Sequence, residues 1–176
     1  GSTAKPIFDY GPFIEYNNGS PATYFFDEEM RYSNGQKLKN SDGTYLGMIS
    51  MRTALYRSRN IPAVQAFQQV DKDKIAEFVH NLGMEYGDTL YESMAIGGFD
   101  GINPLELSAA YAAFGREGYY IEPYSFTKII YTETNEVEEF KYEPQKAMSE
   151  ETAYLITDML ITATKNGVGG NLKVSG

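Results

Sequence analysis

The sequence predicts a helix-rich α+β fold, and three observations lead to that prediction. Several segments repeat apolar residues at the i, i+3, i+4 spacing that places them on one face of a helix. Residues 125–142 instead alternate apolar and polar residues as a β-hairpin does. With 176 residues, 42% of them hydrophobic, the chain is long enough to bury one core and has a globular composition. Few other segments show a strand pattern, so we expect helices to dominate.

The first part of the chain is predicted to be a helix followed by a long irregular segment. The helix covers residues 2–16 and is interrupted near Gly11-Pro12, because Pro disrupts a helix interior. Residues 17–49 are rich in Gly, Asn, Ser, Asp and Tyr, which favours turns at Asn34-Gly35 and Asp42-Gly43. A loop of this length in a compact domain usually serves or supports a functional site.

The remaining helices are predicted from their caps and their periodicity. Ser50 and Ser149 are typical N-cap residues, and Pro62 favours the first turn of a helix. The predicted elements are a helix from Ser50 to about residue 58, a second from Pro62, helices over 73–82, 104–118 and 150–165, and the hairpin 125–142 with its turn near Asn135.

The charge and the residue types exclude several classes of function. Fifteen Lys and Arg against 24 Asp and Glu give a net charge of -9, which repels phosphates, so no nucleic-acid partner is expected. The chain has no Cys, which excludes disulfides and thiolate metal sites. Its acidic residues lack the spacing of a calcium loop, and we expect neither a metal nor a cofactor. No apolar run approaches the ~20 residues of a membrane-spanning helix.

A Ser-x-x-Lys pair opens the chain, at Ser2 and Lys5. Residues three apart on a helix share a face, with their Cβ atoms roughly 5–6 Å apart, so the hydroxyl and the amine can meet. A neutral amine could then take the hydroxyl proton while the Ser oxygen attacks a carbonyl. Because a free Lys has a pKa near ~10.4, this chemistry requires that the amine is buried or has a cationic neighbour.

A second Ser-x-x-Lys pair, Ser125 and Lys128, shows that the motif alone is not specific. It lies in the alternating run, where residues i and i+3 of a strand point to opposite faces. Its hydroxyl and amine therefore cannot meet, and we expect no site at this copy.

Ser58 and Asn60 lie where one predicted helix ends and the next begins. Side chains at such a junction project from a loop, so the Ser hydroxyl could relay a proton and the Asn amide could hold Lys5 and a substrate amide. The alternative is that Ser-x-Asn before Pro62 simply caps the second helix. The residue types alone leave both interpretations open.

Four ordered blocks of sequence resemble the transpeptidase domain of class A (bifunctional) penicillin-binding proteins. They read GSTAKP (1–6), SRNIPAV (58–64), SMAIGGFDGINPLELSAAYAAFGREGYYIEP (93–123) and KAMSEETAYLITDML (146–160), and the likeness covers essentially the whole chain. Ser-x-x-Lys and a Ser-x-Asn-type motif are two of the three motifs of this superfamily, the third being Lys-Thr-Gly. The resemblance implies the helix-rich portion of the penicillin-binding/serine β-lactamase transpeptidase fold.

The resemblance also assigns roles to the four residues. Ser2 would be the acylated nucleophile and Lys5 its proton acceptor, Ser58 would relay a proton to the leaving group, and Asn60 would orient Lys5 and the substrate amide. The implied reaction is serine D,D-transpeptidation, which cross-links peptidoglycan stem peptides ending in D-Ala-D-Ala through an acyl-enzyme. β-Lactam antibiotics would mimic the dipeptide and leave Ser2 acylated. The implied location is the extracytoplasmic face of the bacterial membrane.

The chain departs from the family in one motif, because Lys-Thr/Ser-Gly does not occur in it. The resemblance places that motif on an edge strand, where it holds the substrate carboxylate and supplies one oxyanion-hole N–H, the other being that of Ser2. Loss of one such donor typically lowers a rate ~10²–10³-fold. We therefore expect residues 1–176 to be one partial transpeptidase domain, inactive by itself. The membrane anchor, the glycosyltransferase domain and the remaining antiparallel strands would belong to the rest of the same protein.

Two alternatives share the fold. A β-lactamase would need an efficient deacylating base, usually a Glu aimed at a water, and the sequence identifies no such Glu. A β-lactam sensor or structural module would keep the fold without turnover. The stability of a penicillin adduct and the transfer of a D-Ala-D-Ala donor to an amine separate these functions.

Overall fold

The computed structural model describes residues 1–98 and 102–167. The chain begins with a helical run in which three types of helix follow one another. Ser2–Ala4 is a 3-10 turn, Pro6–Tyr10 is a π-helix, and Gly11–Asn17 is the first α-helix, α1. Pro12 is the second residue of α1, and the N–H of Gly11 before it donates to the Pro6 carbonyl. The predicted interruption is therefore a change from π to α geometry rather than a break in the helix.

Five further α-helices lie in the described residues, and two of their N-caps are those predicted. Ser50 and Ser149 each accept a hydrogen bond from the backbone N–H three residues later, which confirms both as N-caps. Asn103 and Glu106 form a complete capping box. None of the described helices combines the length and apolarity needed to cross a membrane. The helices are α2 (Met51–Tyr56), α3 (Asn60–Gln69), α4 (Lys72–Asn81), α5 (Pro104–Phe114) and α6 (Glu150–Asn166).

Eight short strands pair antiparallel in the described residues, and four of them correct the sequence prediction for residues 17–49. The strands are β1 (Tyr24–Asp27), β2 (Met30–Arg31), β3 (Lys37–Leu38), β4 (Gly47–Ser50), β5 (Tyr119–Tyr120), β6 (Lys128–Ile130), β7 (Val137–Glu139) and β8 (Gln145–Lys146). The pairs are β1 with β4, β2 with β3, β5 with β8 and β6 with β7. The prediction that residues 17–49 are irregular is wrong, because strands of two to four residues are too short to show a local alternation.

The two Asx-Gly turns and the later hairpin follow the prediction. The Gly35 and Gly43 N–H groups each close a turn onto the carbonyl three residues earlier. Strands β6 and β7 form the hairpin, and Asn135 adopts the left-handed conformation (φ 59°) that its turn requires. The fold class is therefore α+β, as predicted, with helices dominating.

The core encloses the opening helical run, which α3, α4 and the 3-10 turn Glu92–Ile96 surround. A side chain at Gly11 would meet the Phe78 ring and the Pro6 carbonyl, so only Gly permits α4 to approach this closely. Burial of each large apolar side chain contributes roughly 1.5–3 kcal/mol. Packing on several sides fixes the first helical run, and with it the positions of the residues at its start. The fully buried large side chains include Ile7, Phe8, Tyr10, Ile61, Phe67, Ile75 and Phe78.

Candidate active site

The Lys5 amine lies at the centre of a cluster of oxygen atoms. Its Nζ is 3.1 Å from Ser2 Oγ, 3.1 Å from Ser58 Oγ, 2.8 Å from the Ser58 carbonyl oxygen and 2.9 Å from Asn60 Oδ1. The two hydroxyl oxygens are 2.9 Å apart. The structure therefore brings together all four residues that the sequence singles out, and the expected proximity of Ser2 and Lys5 is confirmed.

The hydroxyl and the amine differ in their exposure to solvent. Ser2 is exposed, whereas Lys5 is fully buried, and Ser58 and Asn60 are half-buried between them. A substrate can therefore reach the Ser2 oxygen from solvent, while bulk water does not reach the amine behind it.

Two hydrogen bonds from distant parts of the chain hold the backbone on either side of Ser2 in place. The Tyr111 hydroxyl donates to the Thr3 carbonyl at 2.9 Å, and the Gly1 nitrogen donates to the Gly97 carbonyl at 3.2 Å. Gly97 has φ 84°, and a Cβ at this position would lie 1.9 Å from the Gly1 nitrogen. Any other residue at 97 would displace the start of the Ser2 turn. Gly97 therefore fixes the backbone beside Ser2, and residues 99–101 lie outside the described residues.

Ser58 adopts a left-handed backbone conformation at the junction of α2 and α3, with φ 55°. For a residue with a Cβ this conformation costs roughly 1–2 kcal/mol, so the surrounding contacts have to hold it. The Ser58 carbonyl and hydroxyl both contact Lys5 Nζ. In this conformation both the carbonyl and the hydroxyl oxygen of Ser58 lie against the Lys5 amine.

The alternative that Ser58 and Asn60 cap a helix is wrong. Helix α3 has Arg59 at its N-cap position, and no side chain of that residue caps it. Asn60 already belongs to α3, and its amide bonds to Lys5 and to the Lys39 carbonyl. Pro62 is accordingly the third residue of α3 and not the first, a position that still needs no N–H.

Burial lowers the pKa of Lys5 from 10.5 to about 8, because the charged ammonium loses its hydration. A negative charge on Asp9 would raise the pKa of Lys5, and the positive charge of Arg59 lowers it. Asp9 is itself fully buried, and burial raises the pKa of its carboxyl well above the ordinary value. Burial thus disfavours the one nearby negative charge that would favour the Lys5 ammonium.

The acceptors around Lys5 suit a neutral amine. The Ser58 carbonyl and Asn60 Oδ1 can only accept, and Asn60 Nδ2 donates to the Lys39 carbonyl at 2.9 Å, which sets the orientation of that amide. A neutral amine has two N–H donors and one lone pair. It can therefore donate to both obligate acceptors and still accept a proton from a neighbouring hydroxyl.

Sequence reasoning missed several residues around this cluster. Asp9 lies one helical turn after Lys5, and that spacing could have identified it. Neither of its carboxylate oxygens has a hydrogen-bond partner in the described residues. Arg59 lies between the two predicted site residues, whereas Asp27 and Asn40 belong to the segment predicted to be irregular and have no local sequence signal.

The second Ser-x-x-Lys copy forms no such cluster. Ser125 and Lys128 are both exposed, and Lys128 begins strand β6. No hydrogen bond joins the two side chains, as expected, but the predicted reason is wrong, because Ser125 precedes β6 and does not lie on a strand with Lys128.

Comparisons with known proteins agree with this geometry. The profile of the family described as "Penicillin binding protein transpeptidase domain" matches residues 1–176. The chain is 44% identical over 180 residues to penicillin-binding protein 1A/1B of Bacillus subtilis, covering all of this chain and 20% of that protein. It is 35% identical to penicillin-binding protein 1A of Streptococcus pneumoniae, covering 97% of this chain and 25% of that protein. The chain thus spans a fifth to a quarter of the length of these relatives.

A solved structure extends the similarity to three dimensions. Penicillin-binding protein 1A of Haemophilus influenzae superposes with a TM-score of 0.79 at 26% sequence identity, covering all of this chain and 31% of that one.

Proposed function

This chain belongs to the penicillin-binding protein transpeptidase family, and we propose that it carries the acylation centre of a serine D,D-transpeptidase. The observation that carries the proposal is the exposed Ser2 hydroxyl 3.1 Å from the buried amine of Lys5. The substrate would be a peptidoglycan stem peptide ending in D-Ala-D-Ala.

The first half-reaction replaces the C–N bond of the substrate by an ester bond to Ser2, and it moves the proton of the Ser2 hydroxyl. Ser2 Oγ attacks the carbonyl carbon of the penultimate D-Ala while its proton moves to Lys5 Nζ. The C–N bond to the terminal D-Ala then breaks, and the leaving nitrogen takes a proton. Ser58 Oγ lies within 3.1 Å of both Lys5 Nζ and Ser2 Oγ, so it can pass the Lys5 proton to that nitrogen. The product is an ester on Ser2, with free D-Ala released.

The second half-reaction reverses these roles. An amine of a neighbouring stem peptide attacks the ester carbonyl and loses its proton to the Lys5 side chain. The C–O bond to Ser2 breaks, and Ser2 Oγ takes back a proton. Asn60 accepts from Lys5 through Oδ1 in both halves, and the second N–H of its side-chain amide would orient the substrate peptide.

A β-lactam would acylate the same oxygen, with one difference. The broken amide belongs to a ring, so the leaving nitrogen stays attached to the adduct. Among the described residues, no carboxylate hydrogen-bonds to Ser2, Lys5, Ser58 or Asn60. The lack of a carboxylate bonded to these four residues supports a stable adduct, and therefore a transpeptidase over a β-lactamase.

We place the domain on the extracytoplasmic face of the bacterial membrane, where peptidoglycan stem peptides are found. The matched relatives are penicillin-binding proteins, which supports β-lactam antibiotics as ligands.

Labelling of the full-length protein with a fluorescent penicillin tests the proposal. Peptide mass mapping should place the adduct on Ser2, and the adduct should persist for much longer than its formation takes. A D-Ala-D-Ala donor should be transferred to an amine acceptor. Rapid turnover of a chromogenic cephalosporin would indicate a β-lactamase, and a stable adduct without transfer would indicate a sensor. A folded protein without label would reject all three functions.

The acylation rate is expected to rise with pH and to level off above about 8. The pKa of Lys5 is lowered to about 8, so its neutral form increases as pH rises through that value. At pH 7 roughly a tenth of the amine is neutral. The check is the second-order rate constant of penicillin labelling from pH 6 to 9, with the unfolding transition measured at each pH as the control. A rate that is constant over this range would contradict a neutral Lys5 base.

A further inference from the structure

Three buried polar residues, Asp27, Asn40 and Arg59, form a hydrogen-bonded group beneath the candidate active site. Asp27 is fully buried, and Asn40 and Arg59 are each 4% exposed. They come from β1, from the loop after β3 and from the junction of α2 and α3. None of them contacts Lys5 through a hydrogen bond, so the proposed chemistry does not use them directly.

The charges in this group are paired. Arg59 Nε donates to Asp27 Oδ2 at 2.7 Å, and Arg59 Nη1 donates to Asp42 Oδ2 at 2.8 Å. Asp27 also accepts from Asn40 Nδ2 at 2.6 Å and from the Leu46 N–H at 3.0 Å. A buried carboxylate with three donors is well satisfied, and such a pair fixes its members in one arrangement.

Asn40 connects this ion pair to the active site. Its Oδ1 accepts from the Asn60 N–H at 2.8 Å, and its Nδ2 donates to the Thr44 carbonyl at 3.0 Å as well as to Asp27. If the Asn40 amide were reversed, its NH2 group would face the Asn60 N–H and its oxygen would face the Asp27 carboxylate and the Thr44 carbonyl. Only the present orientation forms these hydrogen bonds. Because Arg59 does not cap α3, the Asn40 side chain takes that function from outside the helix.

Residues 39 and 40 therefore hold Asn60 at both ends. The Lys39 carbonyl accepts from the Asn60 side chain, and Asn40 accepts from the Asn60 backbone. Ser58, on the other side of Arg59, keeps its left-handed conformation while its carbonyl contacts Lys5. Arg59 is thus the anchor between two residues that both contact the amine.

We propose that Asp27, Asn40 and Arg59 are positioning residues that hold Ser58 and Asn60 against the Lys5 amine for acylation of Ser2. The inference rests on the proposed function. Arg59 has a second effect, because its positive charge lowers the pKa of Lys5. The other charged group that acts on Lys5 is Asp9, on the same helical run, while Asp27 and Asp42 pair with Arg59.

The first test compares Asn40→Ala with Arg52→Gln in the full-length protein. Arg52 joins α2 to α6 through Asp158 and Thr162, so its loss removes a partly buried polar contact that does not reach the site. Asn40→Ala should lower the rate constant of fluorescent-penicillin labelling at least about tenfold, the size of one lost positioning contact. Arg52→Gln should stay within about twofold of the wild type while losing thermal stability.

The second test separates charge from position with Arg59→Lys and Arg59→Gln. Loss of the charge in Arg59→Gln should move the pH midpoint of labelling upward by roughly half a unit. Arg59→Lys keeps the charge but loses the guanidinium fork, which donates to the Asp42 carboxylate and to the Thr44 carbonyl. Its pH midpoint should therefore stay unchanged, and its labelling rate should fall several-fold. If Asn40→Ala does not fold, Arg59→Lys decides the question alone.

Wild-type labelling rates in folded Asn40→Ala and Arg59→Lys would overturn the inference and leave the proposed function standing. An unlabelled but folded wild type would overturn both. The two outcomes are distinguishable. The positioning inference fails alone only when wild-type Ser2 is labelled, whereas the proposed function fails when the folded wild type carries no label.

Discussion

Ser2→Ala is expected to abolish covalent labelling by a fluorescent penicillin. The change removes the oxygen that we propose forms the ester, and Ser58 is not expected to replace it, because its hydroxyl is held between Lys5 Nζ and Ser2 Oγ. Ser2 is exposed, so its loss should leave the unfolding transition nearly unchanged. The measurement is label per protein after long incubation, followed by gel fluorescence and intact mass.

The chain offers a matched control for this change. Ser125→Ala removes the serine of the other Ser-x-x-Lys copy, which is exposed and lies before strand β6. Its labelling should equal that of the wild type. Residual label in Ser2→Ala, mapped to any other serine, would refute the assignment of the nucleophile.

Lys5→Met is expected to lower the acylation rate constant by about 10²–10⁴-fold, the usual contribution of a general base. That loss corresponds to roughly 3–5 kcal/mol of transition-state stabilisation. Met fills a similar buried volume but cannot accept a proton, and it leaves the Ser58 carbonyl and Asn60 Oδ1 without their donor. The measurement is the second-order rate constant of labelling at pH 8, with Lys128→Met as the matched control from the other copy.

Lys5→Arg distinguishes a proton acceptor from a positive charge at this position. Arg keeps the charge and donates to the same oxygens, but it stays protonated at every pH used. We expect its labelling rate to be as low as that of Lys5→Met, provided that both variants show a cooperative unfolding transition. A rate near the wild-type value in Lys5→Arg would mean that charge, and not proton transfer, is what Lys5 supplies.

These predictions have the same physical basis. The proposed nucleophile, Ser2, is exposed and its proposed base, Lys5, is buried. The two meet because a 3-10 turn followed by a π-helix places them on one side of the opening helical run. Burial of Lys5 disfavours its charged form by roughly 3 kcal/mol, from the difference between pKa 10.5 and about 8. The core that surrounds the run supplies that free energy, so an intact fold is needed for the amine to act as a base.

The local sequence determined much of the fold. Caps at Ser50 and Ser149, the helical periodicity of 73–82 and the turn near Asn135 depend on interactions within a few residues, and all were predictable. So was the meeting of Ser2 with Lys5, which requires only a helical spacing of three. The pattern also identified Ser58 and Asn60, although it left open whether they cap a helix or serve a site.

The tertiary structure decided the rest, because the contacts involved join residues far apart in the chain. The choice between capping and function at Ser58 and Asn60 depended on an amine 53 and 55 residues away. The strands within 17–49 form only by pairing with each other, and their short lengths carry no periodic signal. The group of Asp27, Asn40 and Arg59 consists of single residues from three elements. Burial and hydrogen bonding across the fold bring them together, and no local pattern encodes that.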